Sequence, residues 1–202
     1  MDVLNNLGVL LGSSWASGIS LYLTIAGLGI TQRFGLVKLP GNLDALSSLG
    51  VIILAILLYA IEFVVDKIPY VDSAWDSVHT FIRPFGGATL AYLAAANAGP
   101  AVQLPVAILS GAVAMDAHLT KAASRAAINT SPEPVTNSLA SIFEDALVIG
   151  ALWLIVKHPI IAGLLVILFI IFSIWFLKKM FRFLKNVFIF FGSSKKQTKK
   201  TS

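Results

Sequence analysis

The sequence predicts an all-α, polytopic helical membrane protein of about six transmembrane helices, followed by a C-terminal amphipathic interfacial helix. Two observations predict this. Of 202 residues, 57% are hydrophobic and only 12% charged, with a mean hydropathy of +0.85, whereas a soluble domain is about half apolar and about a quarter charged. The apolar residues are also gathered into windows near the ~20 residues that a helix needs to cross a bilayer core. Both features exclude a water-soluble globule, a disordered chain and a coiled coil. The chain has no cysteine, so disulfides, thiolate nucleophiles and cysteine zinc sites are excluded too.

Six windows follow in order. The first covers about 7–30 and the second about 46–65. The third, about 86–98, is short, and either recruits residues before Pro84 or enters the bilayer without crossing it. The fourth covers about 101–119, the fifth about 138–156 and the sixth 160–177, with His158-Pro159 marking the turn between the last two. No segment combines a basic start, an apolar middle and a small-residue cleavage site, so no removable leader is expected.

The net charge of +5 does not point to nucleic acid once the cations are located. Eight of the 15 Lys and Arg lie after residue 177. Residues 176–192 interleave Phe, Leu and Ile with Lys178, Lys179, Arg182 and Lys185, a pattern suited to anionic lipid headgroups. Lys195, Lys196, Lys199 and Lys200 form a polar tail. The division is therefore a transmembrane domain over 1–178 and a basic tail over 179–202. With six spans and the tail in the cytoplasm, Lys67, Arg83, Lys121 and Arg125 fall inside, and only Arg33, Lys38 and Lys157 fall outside. The positive-inside rule then places both termini in the cytoplasm and the protein in the cytoplasmic (inner) membrane.

Four acids fall within the windows: Glu62, Asp116, Glu144 and Asp145. A carboxylate in hydrocarbon costs at least about 2.5 kcal/mol, so these groups are expected to face one another, a cation or water rather than lipid. Asp66, Lys67 and Lys121 are near enough in sequence to join them in a polar cavity. Asn137, Ser141 and Glu144 at i, i+4 and i+7 draw a polar stripe, as do Ser13, Ser17, Ser20 and Thr24. Serine stripes are also ordinary helix packing. His118 is read as a satisfied interior group. An echo links Glu62 and Lys67 with Asp116 and Lys121, each a carboxylate five residues before a lysine, and suggests duplicated helix hairpins.

The segment from Asp66 to Pro84 places Asp72, Asp76 and His79 at i, i+4 and i+7, with Arg83 nearby. One reading is a binding loop for a divalent cation, which two carboxylates and an imidazole could hold. The other is a solvated amphipathic helix among headgroups. Thr130-Ser131-Pro132-Glu133-Pro134 cannot continue a helix and is a candidate gate.

These motifs carry a resemblance. Gly18-Ile-Ser-Leu-Tyr22, Val65-Asp66-Lys67-Ile-Pro69, Trp75-Asp76, His79-Thr-Phe-Ile-Arg83-Pro84 and Asn129-Thr-Ser-Pro-Glu-Pro134, in this order, resemble the DUF 4126 family of small bacterial integral membrane proteins over about residues 10–178. The resemblance implies a polytopic inner-membrane protein and brings no activity with it. Three classes of function remain. The first is a transporter or channel-like protein for a small polar or ionic solute. The second is a membrane-embedded enzyme acting on a lipid phosphate with metal at the 66–84 segment. The third is a non-catalytic assembly subunit. No resident cofactor is expected, and a homo-oligomer sharing one pathway is compatible with so small a bundle.

Overall fold

The computed structural model describes residues 3–130 and 133–198, and among them only helices and turns occur. Seven α-helices run α1 Val3–Ile19, α2 Leu21–Arg33, α3 Leu49–Val65, α4 Val71–Ala94, α5 Pro100–Ile128, α6 Pro134–Lys157 and α7 Pro159–Thr198. Short 3₁₀ turns, Leu43–Ser47 and Ala96–Ala98, precede α3 and α5.

The first apolar window is not one helix. Ser20 adopts an extended backbone, φ −146° and ψ 101°, between α1 and α2. The packing partners show that the chain reverses there. Gly12 of α1 meets Ile155 of α6, and Gly27 of α2 meets the neighbouring turn at Leu152. Gly29 meets Ile52 near the start of α3, while Ser20 bonds to Glu62 near its end. The segment expected to be a single span is thus a tight helical hairpin with Ser20 at its buried tip. A hydropathy window averages over one residue and cannot register a reversal that preserves apolar character on both sides.

From α3 onward the helices run from one end of the bundle to the other in alternation. One end, here the cluster end, carries Ser20 and the α3–α4 and α5–α6 turns. The opposite end carries the start of α1, the 34–48 connection and the α4–α5 and α6–α7 turns. α7 runs parallel to α1: Gly8 meets Pro159, Gly12 meets Ala162 and Trp15 meets Phe169. The start of α1 and the end of α7 therefore lie at opposite ends of the bundle. It is the first segment, not the third, that folds back.

Two further boundaries differ from expectation. α4 begins at Val71 and continues through Pro84, so most of the expected 66–84 loop is helix. A proline removes one backbone bond, a loss that membrane helices tolerate when neighbours re-satisfy the freed carbonyl. α7 is continuous for 40 residues, or about 60 Å, roughly twice a hydrocarbon core. No break separates the sixth span from the expected interfacial helix. α5, α6 and the Pro159–Val187 part of α7 are each long and apolar enough to span a membrane, and α3 is a shorter apolar helix. Among the described residues, three helices meet the length and hydropathy of a span, against the six windows expected.

Burial is inverted relative to a soluble protein. α3 turns Leu49, Ile53, Leu57 and Val64 outward, while one of its three buried residues is Glu62. Phe81, Phe85, Ile108, Leu109 and Leu164 are likewise exposed. An outer surface of this composition is a lipid-facing one, and the chain is a membrane-like helical protein on that ground. α1 is the central helix. Gly18 and Gly87 admit close approach, because a Cβ on Gly18 would meet the Ala114 carbonyl and one on Gly87 the Ala114 side chain.

A candidate functional site at the hairpin tip

Breaking a helix frees the carbonyls of its last turn, which must find donors elsewhere when water is excluded. At the end of α1 those donors are buried cations. Arg83 Nη1 donates to the Gly18 carbonyl at 3.1 Å, and Lys121 Nζ lies 3.4 Å from that of Ile19. The partial negative charge at the end of α1 therefore faces two positive side chains.

Arg83 organises the first half of the cluster. It is fully buried, and its Nη2 donates to Glu62 Oε1 at 2.5 Å while Ser20 Oγ donates to Glu62 Oε2 at 2.8 Å. Arg83 Nη1 also lies 2.8 Å from His118 Nδ1. A guanidinium only donates, so Nδ1 carries the lone pair and the proton sits on Nε2. That Nε2–H donates to Thr80 Oγ1 at 2.9 Å, and the Thr80 hydroxyl donates to the Asp76 carbonyl at 2.9 Å. His118 is thus a neutral imidazole with both nitrogens used.

The second half is built on α5. Lys121 Nζ pairs with Asp66 Oδ2 at 2.6 Å and stands 3.6 Å from Glu144 Oε2. Arg125 grips Glu144 with two parallel bonds, Nε to Oε1 at 3.1 Å and Nη2 to Oε2 at 2.6 Å, the fork geometry that makes such pairs strong. Its Nη1 donates to the carbonyls of Asp66 and Asn137 at 3.0 and 2.9 Å. Burial by itself pushes the Asp66 carboxyl up, but the bonded Lys121 ammonium and the Arg125 guanidinium outweigh burial and hold it below the usual carboxylate range.

Asp72 and Asp76, one turn apart on α4, have different surroundings. Asp72 receives Asn129 Nδ2 on both oxygens, at 2.9 and 3.1 Å, and Asn137 Nδ2 at 3.1 Å. Asp76 is 2% exposed, and neither carboxyl oxygen has a hydrogen-bond donor among the described residues. Among the described residues its only charged neighbour within 4 Å is Arg83, Nη1 to Oδ1 at 3.5 Å. His79 donates from Nδ1 to the Trp75 carbonyl at 2.9 Å, and its Nε2 shares a hydrogen bond with the Tyr22 hydroxyl at 3.1 Å. The solvated headgroup helix expected here is corrected by this burial. Both nitrogens of His79 are occupied, and among the described residues no group of three or more His, Asp and Glu is arranged to hold a metal ion.

The residues singled out from sequence thus divide. Glu62, Asp66, Lys121 and Glu144 meet, and Asp72, Asp76, His79 and Arg83 join them. Asp116 stands apart: it accepts from Ser173 Oγ of α7 at 2.7 and 2.9 Å and is only partly buried. Asp145 faces Tyr59 of α3. Lys67 lies over the Phe63 ring, 3.0 Å from its centroid, and bonds to Ser141 Oγ at 3.3 Å rather than to an acid. The echoed pairs therefore take opposite parts, since Glu62 and Lys121 enter the cluster while Lys67 and Asp116 remain outside it. Arg125, Asn129 and Ser20 carry more of the cluster than their sequence context suggested. The available signal for Arg125 was its i+4 spacing from Lys121 within a run of Ala and Ser.

Glu62, Asp66 and Glu144 meet their cations directly, at 2.5 to 3.6 Å. A lateral cavity of about 230 Å³, lined by Trp15, Phe143 and Phe169 among others, reaches Lys121 and Glu144. At the opposite end a vestibule contains two adjoining spaces of about 290 and 330 Å³ that share Asn6, Gly41 and Asn97. The gate expected at Ser131 and Pro132, and the tail residues Lys199 and Lys200, lie outside the described residues.

The family model described as "Domain of unknown function (DUF4126)" matches residues 7–179. The chain belongs to this family. The match takes in all seven helices at least in part, including both halves of the Ser20 hairpin and every residue of the ionic cluster. No curated protein and no solved structure matches the chain.

Proposed function

We propose that this DUF4126 protein is a membrane transporter for a small polar or ionic solute, with the ionic cluster at the hairpin tip as its central switching element. The observation that carries this reading is the helix break at Ser20, whose freed carbonyls and neighbouring carboxylate are held by side chains from α4 and α5. Discontinuous helices whose ends meet charged groups inside the bilayer are the usual architecture of transporter binding sites. A cluster needed only for adhesion between helices has no reason to keep so many charges, because small residues and hydroxyls provide adhesion at lower cost.

In this reading the cluster end faces the cytoplasm, because Lys178, Lys179, Arg182 and Lys185 extend from α7 beyond it. The start of α1 then lies on the other side of the cytoplasmic membrane. The basic end of α7 rests against anionic lipid headgroups. The vestibule and the lateral cavity are the approaches to the cluster from either side.

The test has two steps. An untargeted metabolite comparison between cells with and without the gene nominates solutes, and each is then followed into proteoliposomes containing wild-type protein or Glu62→Gln. The expected result is flux of at least one nominated solute, lost in the variant while the protein remains folded. Absence of flux for every nominated solute sinks the proposal.

A further inference from the structure

The cluster gathers five carboxylates, the buried Glu62, Asp66, Asp72 and Asp76 and the partly buried Glu144, against three buried cations, Arg83, Lys121 and Arg125. With every acid ionised, the interior would hold two surplus negative charges, which a low-dielectric site does not sustain. His118 does not offset this, because its bond from Arg83 leaves it neutral, and a charge on His79, whose Nε2 pairs with the Tyr22 hydroxyl, would still leave one surplus negative charge. Four of the five acids have donors. Glu62 has Arg83 and Ser20; Asp66 has Lys121; Glu144 has Arg125; Asp72 has Asn129 and Asn137. Asp76 alone has none on either oxygen although it is almost fully buried.

From this geometry we infer that the side chain of Asp76 is a proton-binding site, occupied by a proton in the state described here. The inference deepens the transport reading by naming the ion that works the cluster. The groups around Asp76 are Arg83 on α4, Lys121 on α5, Asp66 in the α3–α4 turn and Glu144 on α6. Arg83 Nη1, 3.5 Å away, is already committed to the Gly18 carbonyl and His118.

Release of the proton to water at the cluster end leaves a carboxylate with a single cation in reach. Arg83 then turns toward Asp76, and Nη1 gives up the Gly18 carbonyl. The end of α1 loses its cap and the hairpin tip loosens. Rebinding of a proton from water returns Arg83 to Gly18. Proton occupancy at Asp76 and closure of the tip are thereby two readings of one equilibrium.

The test is infrared difference spectroscopy on purified full-length protein in nanodiscs at neutral pH, comparing wild type with Asp76→Asn. The expected result is a protonated-carboxyl band in the wild type that loses one carboxyl's intensity in the variant. Because asparagine mimics the neutral acid, the variant should also fold with a melting temperature close to wild type. An unchanged band overturns the inference, and so does a variant that fails to fold, since that is the behaviour of an ionised partner of Arg83. Neither readout depends on flux, so a protein with a protonated Asp76 that moves no solute would defeat the transport reading and leave this one standing.

Discussion

The guanidinium of Arg83 donates to the carbonyl of Gly18 across 3.1 Å, so the last turn of α1 is closed by a residue from α4 rather than by its own chain. The same side chain neutralises Glu62. Removing it has two consequences, an uncapped carbonyl and a buried carboxylate without its cation. Arg83→Ala should therefore cost about 3–5 kcal/mol, the usual penalty for breaking a buried pair on one side. Glu62→Ala in the same protein should restore part of that loss, because it removes the stranded charge. Thermal unfolding in detergent of the two single variants and the double variant measures the coupling directly. Additive losses would mean that the pair is not linked as the geometry indicates.

Two glycines separate backbone propensity from packing. Gly150 on α6 has open space where a Cβ would go, whereas a Cβ on Gly18 would meet the Ala114 carbonyl and, at 2.7 Å, the Ala117 side chain. In a helix interior Gly→Ala gains about 0.5–1 kcal/mol from backbone entropy alone. Gly150→Ala should show that gain. Gly18→Ala should instead be destabilised, since overpacking costs about 1–3 kcal/mol and outweighs it. Melting temperatures of the two variants with opposite signs are the expected outcome.

Asp66 sets the response of the cluster to acid. Its carboxyl titrates lower in the folded protein than in the unfolded chain because Lys121 and Arg125 overcome the effect of burial. A depressed folded value means that its stabilisation is complete above the unfolded value and is lost as pH falls through the folded one. Wild type should lose stability across that acidic window. Asp66→Asn should lose less across the same window, although it begins from a lower stability at neutral pH. Parallel curves for the two proteins would show that Asp66 does not contribute the acid sensitivity.

Much of this arrangement was legible before the fold. The need of Glu62, Asp66 and Glu144 for internal partners follows from the cost of charge in hydrocarbon, and the i, i+4, i+7 spacing of Asp72, Asp76 and His79 put them on one helix face. Other features were hidden for identifiable reasons. The reversal at Ser20 leaves hydropathy unchanged. Pro84 reads as a stop although a membrane helix can pass through it. Asp116 has the same local pattern as Glu62, but its partner, Ser173, lies 57 residues away on a helix whose position only the packed bundle reveals. Arg83, Lys121 and Arg125 were counted as loop cations, whereas their burial removes them from the positive-inside argument and leaves the cations of α7 to carry it.

Asp116 and Glu62 consequently differ in what they should do to transport. Asp116 is held by a single serine at the face between α5 and α7, away from the hairpin tip. Asp116→Asn keeps a side-chain oxygen for that bond and should leave solute flux within about twofold of wild type, whereas Glu62→Gln should abolish it. The proteoliposome assay compares the two at equal protein density. Loss of flux in both would place Asp116 within the pathway.

Topology offers a test that needs no knowledge of the solute. The chain has no native cysteine, so single cysteines can be placed freely and probed with a membrane-impermeant thiol reagent in intact cells. Leu4 at the start of α1 and Leu36 after α2 are exposed at one end of the bundle, and Tyr70 in the α3–α4 turn and Phe181 on α7 are exposed at or beyond the other. Leu4→Cys and Leu36→Cys should label alike, and Tyr70→Cys should share the opposite accessibility with Phe181→Cys. The comparison of residues 4 and 36 is decisive for the hairpin, since a continuous first helix would separate them across the membrane. The comparison of residues 4 and 181 is decisive for the termini, since an even number of crossings would give them the same accessibility.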